Sequence, residues 1–456
     1  MPSITESLAR WQAGLAGRDI PADVARATLL RVLNCTGVAL AAGARGYGAA
    51  VRGAALEMGA GGKCHVLGQS AGTIATSAAL ANGTMASALA FDDSQTETLI
   101  HVTATTAAAA MALAEWRGAT GPEVLAAIAV GNEVICRIGA IAPGQFHKHG
   151  FHPTGVIGAF GAVFVAGRLL GLDPAGLVHA AGIVETMAAG SNQCWQDGTW
   201  AQIIDPGWAA QCGITAALLA SHGFTGPSEA LEGAFGLFRS HVQDSGYQPD
   251  YRRAVAGLGE VWESRNIAIK PYPCGHVSIP FVDCALDLRR RGLRPEAIRR
   301  VTCHAAAWIL PVVCEPAAEK KRPATEWQGR VSLPFTVAEA LFFGRLDAGS
   351  YTEDNRANPA LLALAGKIDY EIDPAAPRDE QYKGWISVET ADGTTHEAIH
   401  LHGKDDHMSD AAVFAKFHAC LAGTPAQERA EALRDAVLAL ADGGTVGQVM
   451  ARAAGD

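Results

Sequence analysis

The sequence predicts a mainly α protein: a large all-helical domain assembled from both ends of the chain, with a smaller α/β domain inserted near its carboxyl end. Three observations predict it. Runs of Ala with Leu, Met and Ile at 73–90 and 104–114 have the composition of closely packed helix. Extended pieces are confined to residues 270–402. Beyond them, 410–417 and 426–440 return to helical patterning. The expected boundaries are 1–267 and 403–456 for the helical domain and 268–402 for the inserted one.

From the amino end, residues 7–41 read as helix, turn, helix. Ile20-Pro21-Ala22-Asp23 makes a helix start, and apolar residues recur at spacings of three and four through 25–41. Residues 59–72 are glycine-rich around Cys64-His65-Val66-Leu67 and predict a brief extended excursion. Their glycines do not follow the strand, Gly-x-Gly-x-x-Gly, helix order, so no nucleotide cofactor is implied. Gly68-Gln69-Ser70-Ala71-Gly72 matches the nucleophile elbow of serine hydrolases, but no alternation of strands and helices surrounds it, and Ser70 serves equally well as a helix cap. Helices are expected from Pro122 for about four turns, at 156–170, at 175–187 and through Leu219. In the inserted domain, 300–305 and 384–390 are extended, and the turn Ala391-Asp392-Gly393 leads into 394–401 as a hairpin; 282–290 and 336–343 are helical.

Whole-chain properties set the outer limits. With 49 % hydrophobic and 18 % charged residues, the 456-residue chain has the composition of a globular protein with a large core. A formal net charge of -10 argues against nucleic acid as a partner and requires that any anionic substrate be drawn in by a local basic pocket. No basic segment followed by an apolar core opens the chain, and the apolar runs are either short or interrupted by Gly or charge. A cytoplasmic protein without a membrane partner is the expectation. The ten cysteines contain no Cys-x-x-Cys pair, which leaves zinc ribbons and the usual iron-sulfur spacings unsupported; Cys274 is read as structural like the rest.

Chemistry concentrates where polar residues interrupt the apolar runs. The first interruption, Phe91 to His101, carries Asp92, Asp93, Thr96, Glu97 and His101. Unpaired buried carboxylates cost several kcal/mol, on the order of 2 to 7, so both acids need partners. Helix capping near Val102 explains one of them and leaves His101 unexplained. The second holds His147, Lys148, His149 and His152 within six positions, without the carboxylate–histidine helix motif of a metal site; no metal is expected. His152 precedes Pro153 at a helix entrance, where free N–H groups favour a bound anion. The third runs from Gly190 through Gln202 and Asp205.

Five strings, in order along most of the chain, together resemble the MmgE/PrpD family: Phe91-Asp92-Asp93 with His101, Gly150-Phe-His-Pro-Thr-Gly155, Gly198-Thr199 with Pro206-Gly-Trp-Ala-Ala210, Lys270-Pro-Tyr-Pro273, and Val331-Ser-Leu-Pro-Phe-Thr-Val-Ala338. That family includes 2-methylcitrate dehydratase, cis-aconitate decarboxylase and iminodisuccinate epimerase. The resemblance implies that the inserted domain is a lid, that the protein is a homodimer, and that a cofactor-free, metal-independent site lies between the two domains. It implies that Asp93, Glu97 at a position that is a hydroxyl in the family, His101, His152 and Lys270 line this site. His101 and Lys270 are then the proton-transfer pair, with His152 and Asp93 beside them, for chemistry next to a substrate carboxylate. Thr96, Glu97, Gln202 and His276 are the expected substrate contacts.

Gln202 and Asp205 stand where the family often has lysine and histidine, which makes the pocket less cationic than a tricarboxylate needs. Either the substrate carries fewer carboxylates, or Lys148 and His149 supply the missing charge. The expected function is a lyase on a small carboxylic acid, dehydratase-type in preference to an epimerase or decarboxylase, with a non-catalytic acid-binding protein as the alternative from another class.

Overall fold

The computed structural model describes residues 2–377, 381–403 and 406–454; positions 378–380 of the predicted inserted domain, and 404–405 and 455–456 of the carboxyl-terminal segment, lie outside the described residues. Helices dominate, as the Ala-rich runs predict. The long ones are Ala22–Gly43, Ala75–Ser87, Thr103–Arg117, Gly121–Gly139, Pro153–Leu170 and Asp205–Ser221. Their side chains, with those of the carboxyl-terminal helices Asp410–Leu421, Ala430–Leu438 and Val446–Ala454, fill one hydrophobic cluster. Small residues set the spacing. A Cβ on Gly83 would come within 2.7 Å of the Gly207 Cα, and one on Gly213 within 2.3 Å of the Ala162 Cβ, so these helices pack backbone against backbone.

Three of these segments, Ala22–Gly43, Pro153–Leu170 and Ala201–Ser221, are long and apolar enough to cross a membrane by length and composition alone. This corrects the expectation that glycine and charge interrupt every long apolar run. Their glycines are contact points between helices and leave helix continuity intact, and most of each apolar window is buried inside the fold.

A second hydrophobic cluster is drawn from residues 274–398. It lies under a four-stranded sheet in the order Ile368–Ile372, Ile298–Ala305, Gln381–Thr390, Thr395–Gly403, in which the first pair is parallel and the others antiparallel. The hairpin closes at Glu389 opposite Thr395, with Gly393 in the left-handed region at φ 84°. Helix Ile279–Arg290 packs on the sheet where Gly384 leaves room; a Cβ there would meet the Pro280 carbonyl carbon at 2.3 Å.

One unpredicted element decides the positions of the polar residues. Asp93–Gln95 is a strand and pairs antiparallel with Ile267–Ile269, Asp93 opposite Ile269. Three residues are too few for an alternating pattern to register, and the partner lies far away in the chain. Buried charges hold the segment leading to that partner. The Arg137 guanidinium donates to the carbonyls of Ala256 and Val261 at 2.8 and 2.6 Å, while the Glu133 carboxylate bonds Arg137 and accepts from the N–H groups of Glu263 and Ser264. Arg31 donates to the carbonyls of Ser264 and Ile267.

Arg137→Met leaves Glu133 as a lone buried charge and frees the 254–264 segment. We expect a loss of roughly 3–5 kcal/mol in urea unfolding; a loss below about 1 kcal/mol would show that the network does not anchor the segment.

Candidate active site

The ribbon brings three chain segments to one point. Extended backbone sends successive side chains to opposite sides, so only one of the two adjacent acids can face His101. It is Asp92. Its carboxylate lies 3.0 Å from His101 Nδ1 through each oxygen and 3.1 Å from Lys270 Nζ, and Lys270 Nζ is 3.2 Å from the same ring nitrogen. The ribbon sets this spacing directly, because the Lys270 N–H donates to the Asp92 carbonyl at 3.0 Å. Asp92 and Lys270 are buried, whereas the His101 side chain remains 18 % exposed and is the face the cluster offers.

A buried carboxylate needs donors, and the Nδ1–H tautomer of His101 supplies one. Nε2 is then left with a lone pair. Burial would raise the Asp92 carboxyl, but His101 and Lys270 beside it bring it well below the usual carboxylate range. Burial also holds the His101 imidazole below its ordinary 6.5, with Asp92 opposing that shift and Lys270 adding to it. The site therefore holds a neutral imidazole and an ionised carboxylate at pH 7.

A second acid–histidine pair stands next to the first. His152, at the entrance of helix Pro153–Leu170, has Nδ1 2.6 Å from Asp205 Oδ2, and its ring centroid is 5.7 Å from that of His101. Burial raises the Asp205 carboxyl, and its bond to His152 works against this. The His101 N–H is tied to the same helix through Thr154 Oγ1 at 3.0 Å. His147 stacks on Trp195 at 5.9 Å and lies 6.4 Å from His152.

His101, Lys270 and His152 thus come together; the other predicted residues have other partners. Asp93 acts as a helix cap: Oδ1 accepts the Thr103 N–H at 3.0 Å at the start of Thr103–Arg117, and burial raises its carboxyl despite the charge of Arg31. Glu97 forms a two-pronged bond with Arg253 at 2.6 and 2.9 Å. The backbone N–H of Thr96 donates to the Asn266 carbonyl, and its own carbonyl accepts from the Tyr382 hydroxyl. Gln202 donates to Asn192 at 2.8 Å and accepts from the Trp195 indole at 3.0 Å. Lys148 is a surface partner of Asp244, and the His149 ring bonds the Gln145 carbonyl, so the charge expected of these two is committed elsewhere. His276 is buried against Tyr382 and His402, and neither ring nitrogen has a hydrogen-bond partner among the described residues. Burial, with His402 and Lys270 nearby, pushes that imidazole well below its ordinary value.

Two participants were missed. Asp92 was in view with Asp93, but the strand whose alternation separates them is too short to register in the sequence. Lys416, from the carboxyl-terminal helix Asp410–Leu421, reaches the carbonyls of Phe91 and Lys270 at 2.6 and 2.7 Å, and no feature of its local sequence marks it. Burial lowers its ammonium to about 7. Cys274 is buried, and burial pushes its thiol up to about 12. Ser70 is exposed in the irregular segment between the strands Ala60–His65 and Gly72–Thr73, without the strand-to-helix turn of a nucleophile elbow. Among the described residues no group of three or more His, Cys, Asp or Glu is arranged to hold a metal ion.

Comparison with known proteins gives two family matches, to the MmgE/PrpD N-terminal domain over residues 6–250 and to the MmgE/PrpD C-terminal domain over residues 272–442. Similar curated proteins include a cis-aconitate decarboxylase of Aspergillus terreus, 27 % identical over an alignment covering 96 % of this chain and 93 % of that protein. A cis-aconitate decarboxylase-like protein, oryM, of Aspergillus oryzae is 24 % identical over 100 % and 98 %. The human cis-aconitate decarboxylase is 27 % identical over 70 % and 66 %.

Burial, with His152 and His101 close by, pushes His147 down to about 3. Its folded value lies below its unfolded one, so its contribution to stability is present above pH 6.5 and is lost as pH falls toward 3. We expect urea midpoints of the wild type to fall more steeply between pH 7 and 4 than those of His147→Gln. Parallel curves would show that His147 is not held neutral by the fold.

Proposed function

The chain belongs to the MmgE/PrpD family, and from that premise we propose that it is a lyase acting on a small carboxylic acid, with His101 carrying the proton at the carbon next to a carboxylate. One observation carries the reading: a single buried carboxylate, Asp92, holds two proton carriers, His101 and Lys270, with the His101 Nε2 free to face substrate. Asp92 orients the ring and stabilises its charged form, and His152 with Asp205 forms the adjacent wall.

Carboxy-lyase chemistry is the first choice, because the relatives that span nearly the whole chain are a cis-aconitate decarboxylase and a cis-aconitate decarboxylase-like protein. In that reaction His101 first takes up a proton on Nε2 from solvent as the acid binds; the bond to the departing carboxylate breaks, its electron pair passes into the carbon chain, carbon dioxide leaves, and the Nε2 proton moves to carbon. Hydro-lyase chemistry is the second reading, favoured by the neutral state of His101. There Nε2 takes the proton next to the carboxylate while a hydroxyl on the neighbouring carbon leaves as water with a proton from Lys270.

The commitments of Lys148, His149 and Gln202 favour an acid with one or two carboxylates over a tricarboxylate. We also read the protein as a cytoplasmic homodimer, a reading that the exposed Ile204, Trp208 and Leu219 along one helix support.

Incubation with cis-aconitate, 2-methylcitrate, citrate and malate in deuterated buffer, read by proton NMR and mass spectrometry, tests the proposal. Deuterium is expected at the carbon next to a carboxylate, with a loss of 10²-fold or more in His101→Ala and Lys270→Ala, on the order of a general acid–base contribution. No exchange with any acid, while one of them still raises the melting temperature, would leave only acid binding.

The pH profile of kcat/KM separates the two chemistries. His101 titrates below 6.5 in the folded protein. As an acid delivering a proton it loses activity as pH rises through that value; as a base it loses activity as pH falls through it.

A further inference from the structure

We propose that Lys416 is a positioning residue: its ammonium bridges the two backbone segments that carry Asp92 and Lys270, and so fixes the carboxylate against both proton carriers. The inference goes beyond the functional reading above and rests on it only in taking Asp92, His101 and Lys270 as the reacting cluster.

The ribbon ends at the reacting cluster. Backbone pairing runs from Gln95 opposite Ile267 to Asp93 opposite Ile269, and its last bond is that of the Lys270 N–H to the Asp92 carbonyl. Beyond it, Ala90 turns into the left-handed region at φ 48°, and Pro271 and Pro273 offer no N–H. Backbone pairing stops at the very residues whose side chains must meet.

Side-chain cations close the gap. Lys416 Nζ donates to the Phe91 and Lys270 carbonyls at 2.6 and 2.7 Å and lies 3.8 Å from the Phe91 ring centroid. Four residues beyond the Asp93–Ile269 pair on each strand, Arg330 Nη1 donates to the Leu89 and Pro273 carbonyls at 3.0 and 3.1 Å. Of the two bridges, that of Lys416 touches the backbone of a site residue and the residue preceding another, and it comes from the last quarter of the chain. A side chain without an N–H donor there leaves two buried carbonyls unsatisfied, and a small shift of either strand changes a 3 Å contact at Asp92.

The test reads the His101 ring by ¹⁵N NMR of ¹⁵N-histidine-labelled protein without substrate, with His101→Gln to assign the signal. The shifts report which nitrogen carries the proton. The wild type is expected in the Nδ1–H form that Asp92 dictates. Asp92→Asn, with the charge gone, marks where the signal moves when the tie is weakened. Lys416→Met is expected to move in the same direction, and Lys416→Arg to stay with the wild type. Where an acid is turned over, kcat should fall about tenfold in Lys416→Met with KM little changed and should recover in Lys416→Arg.

Should the methionine variant not fold, Lys416→Gln is read instead, since its shorter side chain cannot reach both carbonyls. A folded Met or Gln variant with the wild-type ring signal overturns the proposal. The NMR readout needs no turnover, so its outcome is independent of the deuterium-exchange test of function.

Discussion

The ionised carboxylate of Asp92 dictates how the groups around it are arranged. It has no exposed surface, and an unpaired charge in such a place costs far more than a folded protein can spare. It survives because one cation and one ring N–H meet it, each from a different part of the chain. Once those partners are fixed, so are the His101 tautomer, the direction of its free nitrogen and the place where Lys270 must sit. The carboxylate does not transfer a proton itself in either chemistry. It decides which groups can.

Holding that contact needs rigid surroundings on both sides. On the Asp92 side, the segment enters through Ala90 and leaves through Leu99, both with positive φ, at a cost of the order of 1–3 kcal/mol each for residues other than glycine. Close packing compensates. The Gln95 side chain accepts from both the N–H and the hydroxyl of Thr98, and Leu99 packs against the second hydrophobic cluster, so the tight loop is stitched to both lobes. On the Lys270 side, the long approach through 251–269 is held by Arg253 on Glu97, by Arg137 with Glu133, and by Arg31. Glu97 thereby serves the site from outside it, tying the first polar interruption to the segment that delivers the lysine.

Much of the fold was legible in the sequence, because helices with Ala-rich, apolar faces announce themselves over ten or more residues, and the 384–401 hairpin announces itself through its Asp-Gly turn. The helix starts at Pro122 and Pro153 were equally plain. At the site, residue types were legible and pairings were not. His101, His152 and Lys270 stand out as polar groups in apolar or proline-rich surroundings. Which of two adjacent aspartates faces His101 depends on a three-residue strand whose partner begins at Ile267, and no local pattern encodes that. Lys416 sits on an ordinary amphipathic helix, where a lysine is normally a solvated residue; only tertiary packing makes it a buried donor. The partners of Lys148 and Glu97, Asp244 and Arg253, were illegible for the converse reason: they lie roughly a hundred or more residues away.

These pairings bear on how an acid is handled by a protein of net negative charge. The charge of Lys270 is already shared with Asp92, and His101 is held neutral, so little free positive potential is in place to bind a highly charged anion. A carboxylate that docks beside His101 changes this balance. It adds a negative neighbour within a few ångströms, which favours the protonated imidazole and moves its titration up toward neutral pH. The substrate would then supply the charge that arms His101 as an acid, and the proton would be taken up with binding. A site whose cations were left unpaired would hold such an anion more tightly and would also keep the histidine neutral. The paired arrangement around Asp92 gives up some affinity in the empty state and keeps His101 responsive to the arriving acid.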